Sequence, residues 1–453
     1  MKRLSCVILL IAMILNCGYG AASDQSNSKP DHEALARQIT NELVDGHFDR
    51  VCQRFDETMA KALSEKDLQN AWDQVIQTFG PFKEINNISI KTEGGLLRQS
   101  LTVASVVGTF TKQPIEIRIA FDDRARIAGL FFLPASSNDN LYKSPAYVNR
   151  KAFTEKEVQV GKHKLPGVIT IPNGKSKVPG VVLVHGSGPQ DRDETIGSNK
   201  PFKDIAEGLS SLGVAVLRYD KRTFALGAKA MPPSARFTVM EETVEDAIAA
   251  VDLLASDQNV DPKRVYILGH SLGGMLAPRI AKNNPKIAGM IILAGSVRPM
   301  EELVLEQITF LANIDGKIDP QEKERIDKCH RMIEQIRSPN LKEDDVVNFL
   351  GAKIPGSYWL DLMEYDPKKE MASLSLPTLI LQGTYDYQVT EKDFDGWKSC
   401  LSNRKDATFR LLPNLNHLFI RQTDPPSPEA TLRPGNVDEG VIKEIAGWLN
   451  TDR

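Results

Sequence analysis

Gly269-His270-Ser271-Leu272-Gly273 sets a serine between two glycines, directly after the apolar run Val265–Leu268 and directly before a helical pattern that continues through Ala281. That context predicts a sharp strand-to-helix turn, which lifts the hydroxyl clear of a sheet and places it at the positive end of a helix. Such a serine can attack an acyl carbon if a base takes its proton and a carboxylate orients the base. Of the seven histidines, His32 and His47 lie in an N-terminal segment, His163 in an early hairpin and His330 in a helical insertion. His185 and His270 adjoin other site elements, where their backbone geometry matters more. His417 remains as the base, in the loop Pro413–His417 after the last expected strand. The acid is Asp386, in Gly383-Thr384-Tyr385-Asp386-Tyr387 past the strand Leu379–Gln382, so the chain order is Ser, Asp, His. Asp361 and Asp366 are alternatives that precede that strand.

A tetrahedral intermediate also needs donors for its oxyanion, and losing one costs about 3 to 4 kcal/mol. The Leu272 N–H is one. The second is expected from the loop Val184-His185-Gly186-Ser187-Gly188-Pro189, with the Ser187 N–H first and Gly188 as the alternative. Asp191, Arg192 and Asp193 stand on that loop, and with Arg218, Asp220 and Arg222 they read as a buried ion network that fixes it. The competing reading is that Arg192 or Arg222 binds a substrate carboxylate.

The elements that must position these residues follow from periodicity. From Val158 a hairpin to Ile171 gives way to Val/Ile/Leu-rich runs alternating with helical patterns: Gly180–Val184, Ala215–Leu217, Val265–Gly269, Ile287–Leu293, Thr378–Gln382 and Phe409–Leu412. Such runs suit strands of a mostly parallel sheet covered on both faces by helices. The rhythm stops between Gly295 and Leu376. A helical cap insertion is expected there (about 296–376), and Glu301–Leu350 reads as helices; Leu303, Leu305, Ile308 and Phe310 are its candidate pocket-lining side chains. Asp424–Gly435 reads as a loop before a closing helix, Val437–Leu449. Residues 31 to about 80 instead show helical spacing, and Ile85–Ile90, Leu101–Val107, Ile115–Phe121 and Ile127–Leu133 read as an antiparallel meander. The organisation expected is a smaller α+β domain over 23–146 and a catalytic α/β domain over 147–453, joined through the polar stretch Ala135–Tyr147.

His185–Thr195 (HGSGPQDRDET), Arg218–Arg222 (RYDKR), GHSLGG and LQGTYDYQV resemble bacterial α/β-hydrolases of the esterase D type, over roughly residues 150–453. The resemblance implies an α/β-hydrolase fold with a helical cap, a serine carboxylesterase activity on small acyl esters and no cofactor. It maps nucleophile, acid and base onto Ser271, Asp386 and His417. The first domain resembles a small α+β module of unknown function that precedes such hydrolases in exported proteins.

Composition narrows the partners. With 41% apolar and 25% charged residues the chain is globular, and a net charge of −3 carries no nucleic-acid footprint. Lys2 and Arg3 ahead of the apolar run Leu4–Leu15 predict a signal peptide over 1–22, with cleavage near Ala22 and export to the periplasm or medium. Ile14-Leu15-Asn16-Cys17 resembles a lipoprotein box, although Asn16 departs from it, so a membrane anchor would require lipidation of Cys17. Cys52, Cys329 and Cys400 cannot all pair, and a buried free thiol is expected for each. Asn313–Glu322 copies part of a calcium loop, but Leu311 stands where the first ligand should be, so a capped turn and no metal site are expected. Two further functions compete with ester hydrolysis: an aminopeptidase that holds an ammonium on Glu301 and Glu302, and a silent binding protein.

Overall fold

The computed structural model describes residues 31–93, 101–112, 114–134, 142–230, 236–349 and 352–451. The expected leader, with Cys17, lies outside the described residues. The chain divides into two compact units, one through Asn138 and the other from Asp139 onward except for residues 350–352.

In the first unit, helices His32–Val44, Phe48–Cys52, Glu57–Ala62 and Glu65–Phe79 precede four strands, β1 (Phe82–Glu93), β2 (Leu101–Phe110), β3 (Pro114–Phe121) and β4 (Ile127–Pro134). The strands form an antiparallel meander in chain order. Ser64 starts the fourth helix with a reciprocal Ser64–Asp67 capping box. Its apolar face, Leu68, Trp72 and Val75, joins Ile39 and Leu43 of the first helix and Ile117 and Ile119 of the sheet in one core.

The second unit opens with the hairpin β5 (Phe153–Val160) and β6 (Leu165–Pro172). Strands β7 (Val178–Val184), β8 (Ala215–Tyr219), β9 (Val260–His270) and β10 (Ile287–Leu293) follow. The cap hairpin β11 (Val346–Phe349) and β12 (Ala352–Pro355) comes next, then β13 (Thr378–Gly383) and β14 (Ala407–Leu412). The main sheet runs β14-β13-β10-β9-β7-β8-β6-β5, parallel except for the β5–β6 and β6–β8 pairs. Alternate side chains of each strand feed opposite faces: Val182 and Ile267 pack in one core with Val251 and Leu276, and Val181, Leu183 and Leu268 in the other with Phe202, Leu209 and Ile442. From β7 the chain passes to β8 on one side and then to β9 on the other. The crevice at the carboxyl ends of β7 and β9 is therefore a topological switch point, where open α/β sheets bind ligands.

Two expectations are corrected. The insertion carries helices Met300–Ala312, Pro320–Ile336, Gly356–Glu364 and Pro367–Ala372, but the part expected to be helical as far as Leu350 also contains strand β11, paired with β12. The expected loop Asp424–Gly435 holds a short helix, Pro428–Leu432, started by the Ser427 side chain on the Ala430 N–H and by Pro428 in its first turn.

Candidate active site

Ser271 is the residue at which β9 becomes the helix Leu272–Lys282. The turn is tight enough that a Cβ on Gly269 would stand 2.2 Å from the Gly273 carbonyl oxygen, and one on Gly273 would stand 2.3 Å from the Val184 oxygen. Only glycine fits at either position. Ser271 itself takes φ +53°, a conformation that costs a non-glycine residue about 1 to 3 kcal/mol. Its N–H donates to the Leu293 carbonyl (2.9 Å), and its own carbonyl accepts the Met275 N–H (3.0 Å), so β10 and the helix hold the strained residue from both sides. Leu272 is the first helical residue, where N–H groups have no partner within the helix.

Asp386 and His417 are brought together from the loops after β13 and β14. His417 Nδ1–H donates to Asp386 Oδ2 at 2.7 Å, and both residues are buried. Asp386 is held in turn: Oδ1 accepts the N–H groups of Gln388 (2.8 Å) and Val389 (3.0 Å), and Oδ2 accepts the Gln382 amide (3.2 Å). With the proton on Nδ1, His417 keeps an Nε2 lone pair for a hydroxyl proton. The alternative acids are engaged elsewhere, Asp361 with Arg279 at 2.9 Å and Asp366 as the cap of helix Pro367–Ala372. Gln382 had no signal beyond its place in the LQGTYDYQV stretch.

The loop after β7 packs on the nucleophile turn, since a Cβ on Gly186 would lie 3.3 Å from Ser271 Cβ. Ser187 and Gly188 follow at its exposed tip, Gly188 with φ +80°. Glu194, a residue the sequence reading passed over, ties this loop down: Oε1 accepts the Gly186 N–H (2.8 Å) and Oε2 pairs with His270 Nδ1 (2.9 Å). His270 Nε2 is bonded to the His417 carbonyl at 2.9 Å. Lys221, only 2% exposed, donates to the Gly186 carbonyl (2.8 Å) and pairs with Glu242 (2.8 Å), which accepts the Tyr358 hydroxyl (2.7 Å).

The charged cluster is an ion network. Arg192 pairs with Asp220 (3.0 Å) and Glu157 (3.0 Å), Arg218 with Asp193 (2.9 Å) and Glu155 (2.9 Å), and Arg222 with Asp246 (2.8 Å) and Glu245 (3.0 Å). Arg192 and Arg222 therefore face carboxylates of the chain itself, against the reading that either one awaits a substrate acid. Asp191 accepts the Thr195 hydroxyl and the N–H groups of Asp193 and Thr195, which closes the loop on itself.

In the cap, helix Met300–Ala312 buries Leu303 and Val304, while Leu305 and Ile308 pack partly buried against the same core. Phe310 stacks on Tyr387, the neighbour of Asp386, with ring centroids 5.0 Å apart. Glu301 and Glu302 both pair with Arg337, at 3.0 and 2.6 Å. The calcium-like turn is a capped helix start, in which Asp319 N–H donates to Glu322 and Glu322 N–H to Asp319. Among the described residues no cluster of His, Cys, Asp and Glu has the arrangement of a metal site. Cys52, Cys329 and Cys400 are free thiols; Cys329 is buried, whereas Cys52 and Cys400, expected to be buried, are half-buried.

Comparison with known proteins agrees with the fold. Residues 180–424 match the family described as Serine aminopeptidase, S33, and residues 36–130 match one described only as a protein of unknown function, DUF3887. Esterase EstD of Thermotoga maritima is 37% identical over 419 residues, 92% of this chain and 95% of that protein. Monoglyceride lipase of Mus musculus is 23% identical over 46% of this chain and 64% of its own. Among solved structures, Est1E from Butyrivibrio proteoclasticus is 17% identical with a TM-score of 0.41, over 65% of this chain and 98% of that one. The esterase D resemblance read from the motifs is borne out across nearly the whole length: the chain belongs to the α/β-hydrolase family and, within it, is a carboxylic ester hydrolase of the esterase D type.

Proposed function

We propose that the protein is a serine carboxylesterase for short-chain esters, with Ser271 as nucleophile, His417 as general base and acid, and Asp386 as the orienting carboxylate. The observation that carries this reading is the strained Ser271 turn at a helix start, together with the His417–Asp386 contact of 2.7 Å on the same sheet edge. Ser271 Oγ adds to the ester carbonyl while its proton passes to His417 Nε2, and the resulting imidazolium is stabilised by Asp386. The N–H groups of Leu272 and Ser187 receive the oxyanion. Collapse expels the alcohol with the proton from His417, leaving an acyl group on Ser271. Water, deprotonated by His417, then releases the acid. No cofactor enters this sequence.

The aminopeptidase alternative shares these residues and differs in what binds the substrate ammonium. Arg337 already neutralises Glu301 and Glu302, which supports the ester reading, as does the likeness to Esterase EstD at 37% identity. Aryl esters of increasing acyl length, assayed beside aminoacyl arylamides with Ser271→Ala as the blank, test this. Acetyl and butyryl esters are expected to give the larger kcat/KM; faster turnover of the arylamides would replace the esterase reading. The leader supports export, and N-terminal sequencing of the mature protein checks it: a start near Ser23 indicates simple cleavage, a lipid-modified Cys17 an anchor, and an intact Met1 rejects export.

A further inference from the structure

We propose that Glu194 and His270 form a charged positioning pair, in which a buried His270 imidazolium joins the oxyanion loop, the nucleophile turn and the His417 loop. The proposal rests on the roles given above to Ser271 and His417.

The surroundings of the ring call for two protons, one facing a hydrogen-bond acceptor and one facing an ion-pair partner. His270 Nε2 is bonded at 2.9 Å to the His417 carbonyl oxygen, and Nδ1 lies 2.9 Å from a Glu194 carboxylate oxygen. Both neighbours are acceptors, whereas a neutral imidazole carries one N–H, so a neutral ring would turn a lone pair on one of them. His270 is 5% exposed and Glu194 1%, so water does not relieve such a clash. Burial opposes a charge on His270, but Glu194, the His417 carbonyl and Asp386 together outweigh it and raise the ring above its ordinary value. Burial would likewise raise Glu194, but His270 and the Gly186 N–H hold it below the usual carboxylate range. His185 is the counterexample next door: equally buried and bonded through Nε2 to the Asp191 carbonyl, it is pushed down to about 4, chiefly by burial, and stays neutral.

The remaining neighbours of the pair are accounted for. The His270 ring faces the His417 ring at 4.6 Å between centroids and Phe202 at 6.4 Å, and Asp386 adds a favourable field. Glu194 also faces the Gly186 N–H, beyond which Lys221 holds the Gly186 carbonyl. Glu194 sits at φ +51°, a second strained non-glycine residue in this site, with its N–H bonded to the Asp191 carbonyl. Strain of this kind persists where surrounding contacts over-determine it. One ion pair thus spans three loops.

The charge and the geometry can be separated. In Glu194→Gln the amide oxygen still accepts the Gly186 N–H, and its N–H can donate to a neutral His270 that keeps Nε2–H on the His417 carbonyl. Wild-type kcat should therefore fall on the alkaline side, as His270 loses a proton above the ordinary imidazole value of ~6.5, and Glu194→Gln should lose that limb while keeping kcat within about tenfold. His270→Ala, which removes the bridge, should lower kcat by about 100-fold across the profile with KM little changed. Nitrogen NMR of ring-labelled wild-type enzyme at about pH 7.5 should show both His270 nitrogens protonated, a readout that needs no variant to fold. A neutral His270 in that spectrum, an unchanged alkaline limb in Glu194→Gln, or a His270→Ala enzyme altered only in thermal stability would each overturn the proposal. Fluorophosphonate labelling of the same preparations keeps the two readings apart: an adduct on Ser271 with a neutral His270 rejects the pair alone, and an adduct elsewhere rejects the catalytic assignment itself.

Discussion

The loop after β14 and the loop after β7 each supply half of a histidine–carboxylate pair, and the two pairs have opposite functions. His417 engages Asp386 through Nδ1, which leaves Nε2 to take and return a proton. His270 has an oxygen 2.9 Å from each ring nitrogen, so neither nitrogen is left for a substrate proton. What a histidine does in this site is decided by its second nitrogen: a lone pair directed at substrate makes a base, and a proton committed to a carbonyl makes a tie. The carboxylates differ in parallel. Asp386 accepts N–H groups only two and three residues ahead of it, whereas Glu194 reaches back eight residues to the Gly186 N–H.

The contrast can be broken most severely at the serine that the first pair serves. Ser271→Ala should lower kcat by at least ~10⁴, since members of a triad act as a unit, with the urea midpoint unchanged. A variant retaining full turnover would remove the distinction between the pairs. Asp386→Asn should cost up to ~10⁴ in kcat by favouring the wrong tautomer of His417, again with stability little altered. If Asp386→Asn proved as mild as Glu194→Gln, the two carboxylates would be equivalent and the contrast would fail.

Lys221 sharpens the comparison from the scaffold side. Replacing it with Met leaves Glu242 buried without its cation, and loss of one member of such a pair destabilises by roughly 3 to 5 kcal/mol, read as a lower urea midpoint. Arg222→Glu should likewise reduce stability and leave preference between neutral and acidic esters unchanged; an altered preference in a folded protein would return Arg222 to the substrate. The smallest effect is expected in the cap. Phe310→Ala should shift the ratio of long- to short-acyl turnover by about three- to tenfold through the face that stacks on Tyr387, and an unchanged ratio would remove the cap from acyl selection.

The sheet and the His417–Asp386 pair were legible because their signals are local. Apolar runs marked every parallel strand of the main sheet, and glycine punctuation marked the turn at Ser271, where a side chain on Gly269 or Gly273 would collide with backbone oxygens. The Glu194–His270 pair was not legible. Its members are 76 residues apart in sequence, each lies inside a motif that explains its neighbours, and only the folded loop shows that Glu194 turns inward while Asp191 closes the loop on itself. Strand β11 escaped because four residues beside a charged stretch, Lys342–Asp345, give too short an alternation to separate from a helix. The partners of Glu301 and Glu302 were hidden for the same reason as those of Glu194: Arg337 lies on the far side of a helix–turn–helix.

The most direct test of the central claim is to map the site of covalent modification. Brief exposure to a fluorophosphonate, followed by peptide mass spectrometry and an ester assay on the same sample, should find one adduct, on Ser271, rising in step with the loss of esterase activity. Activity lost in proportion to an adduct on any other residue, with Ser271 unmodified, would contradict it.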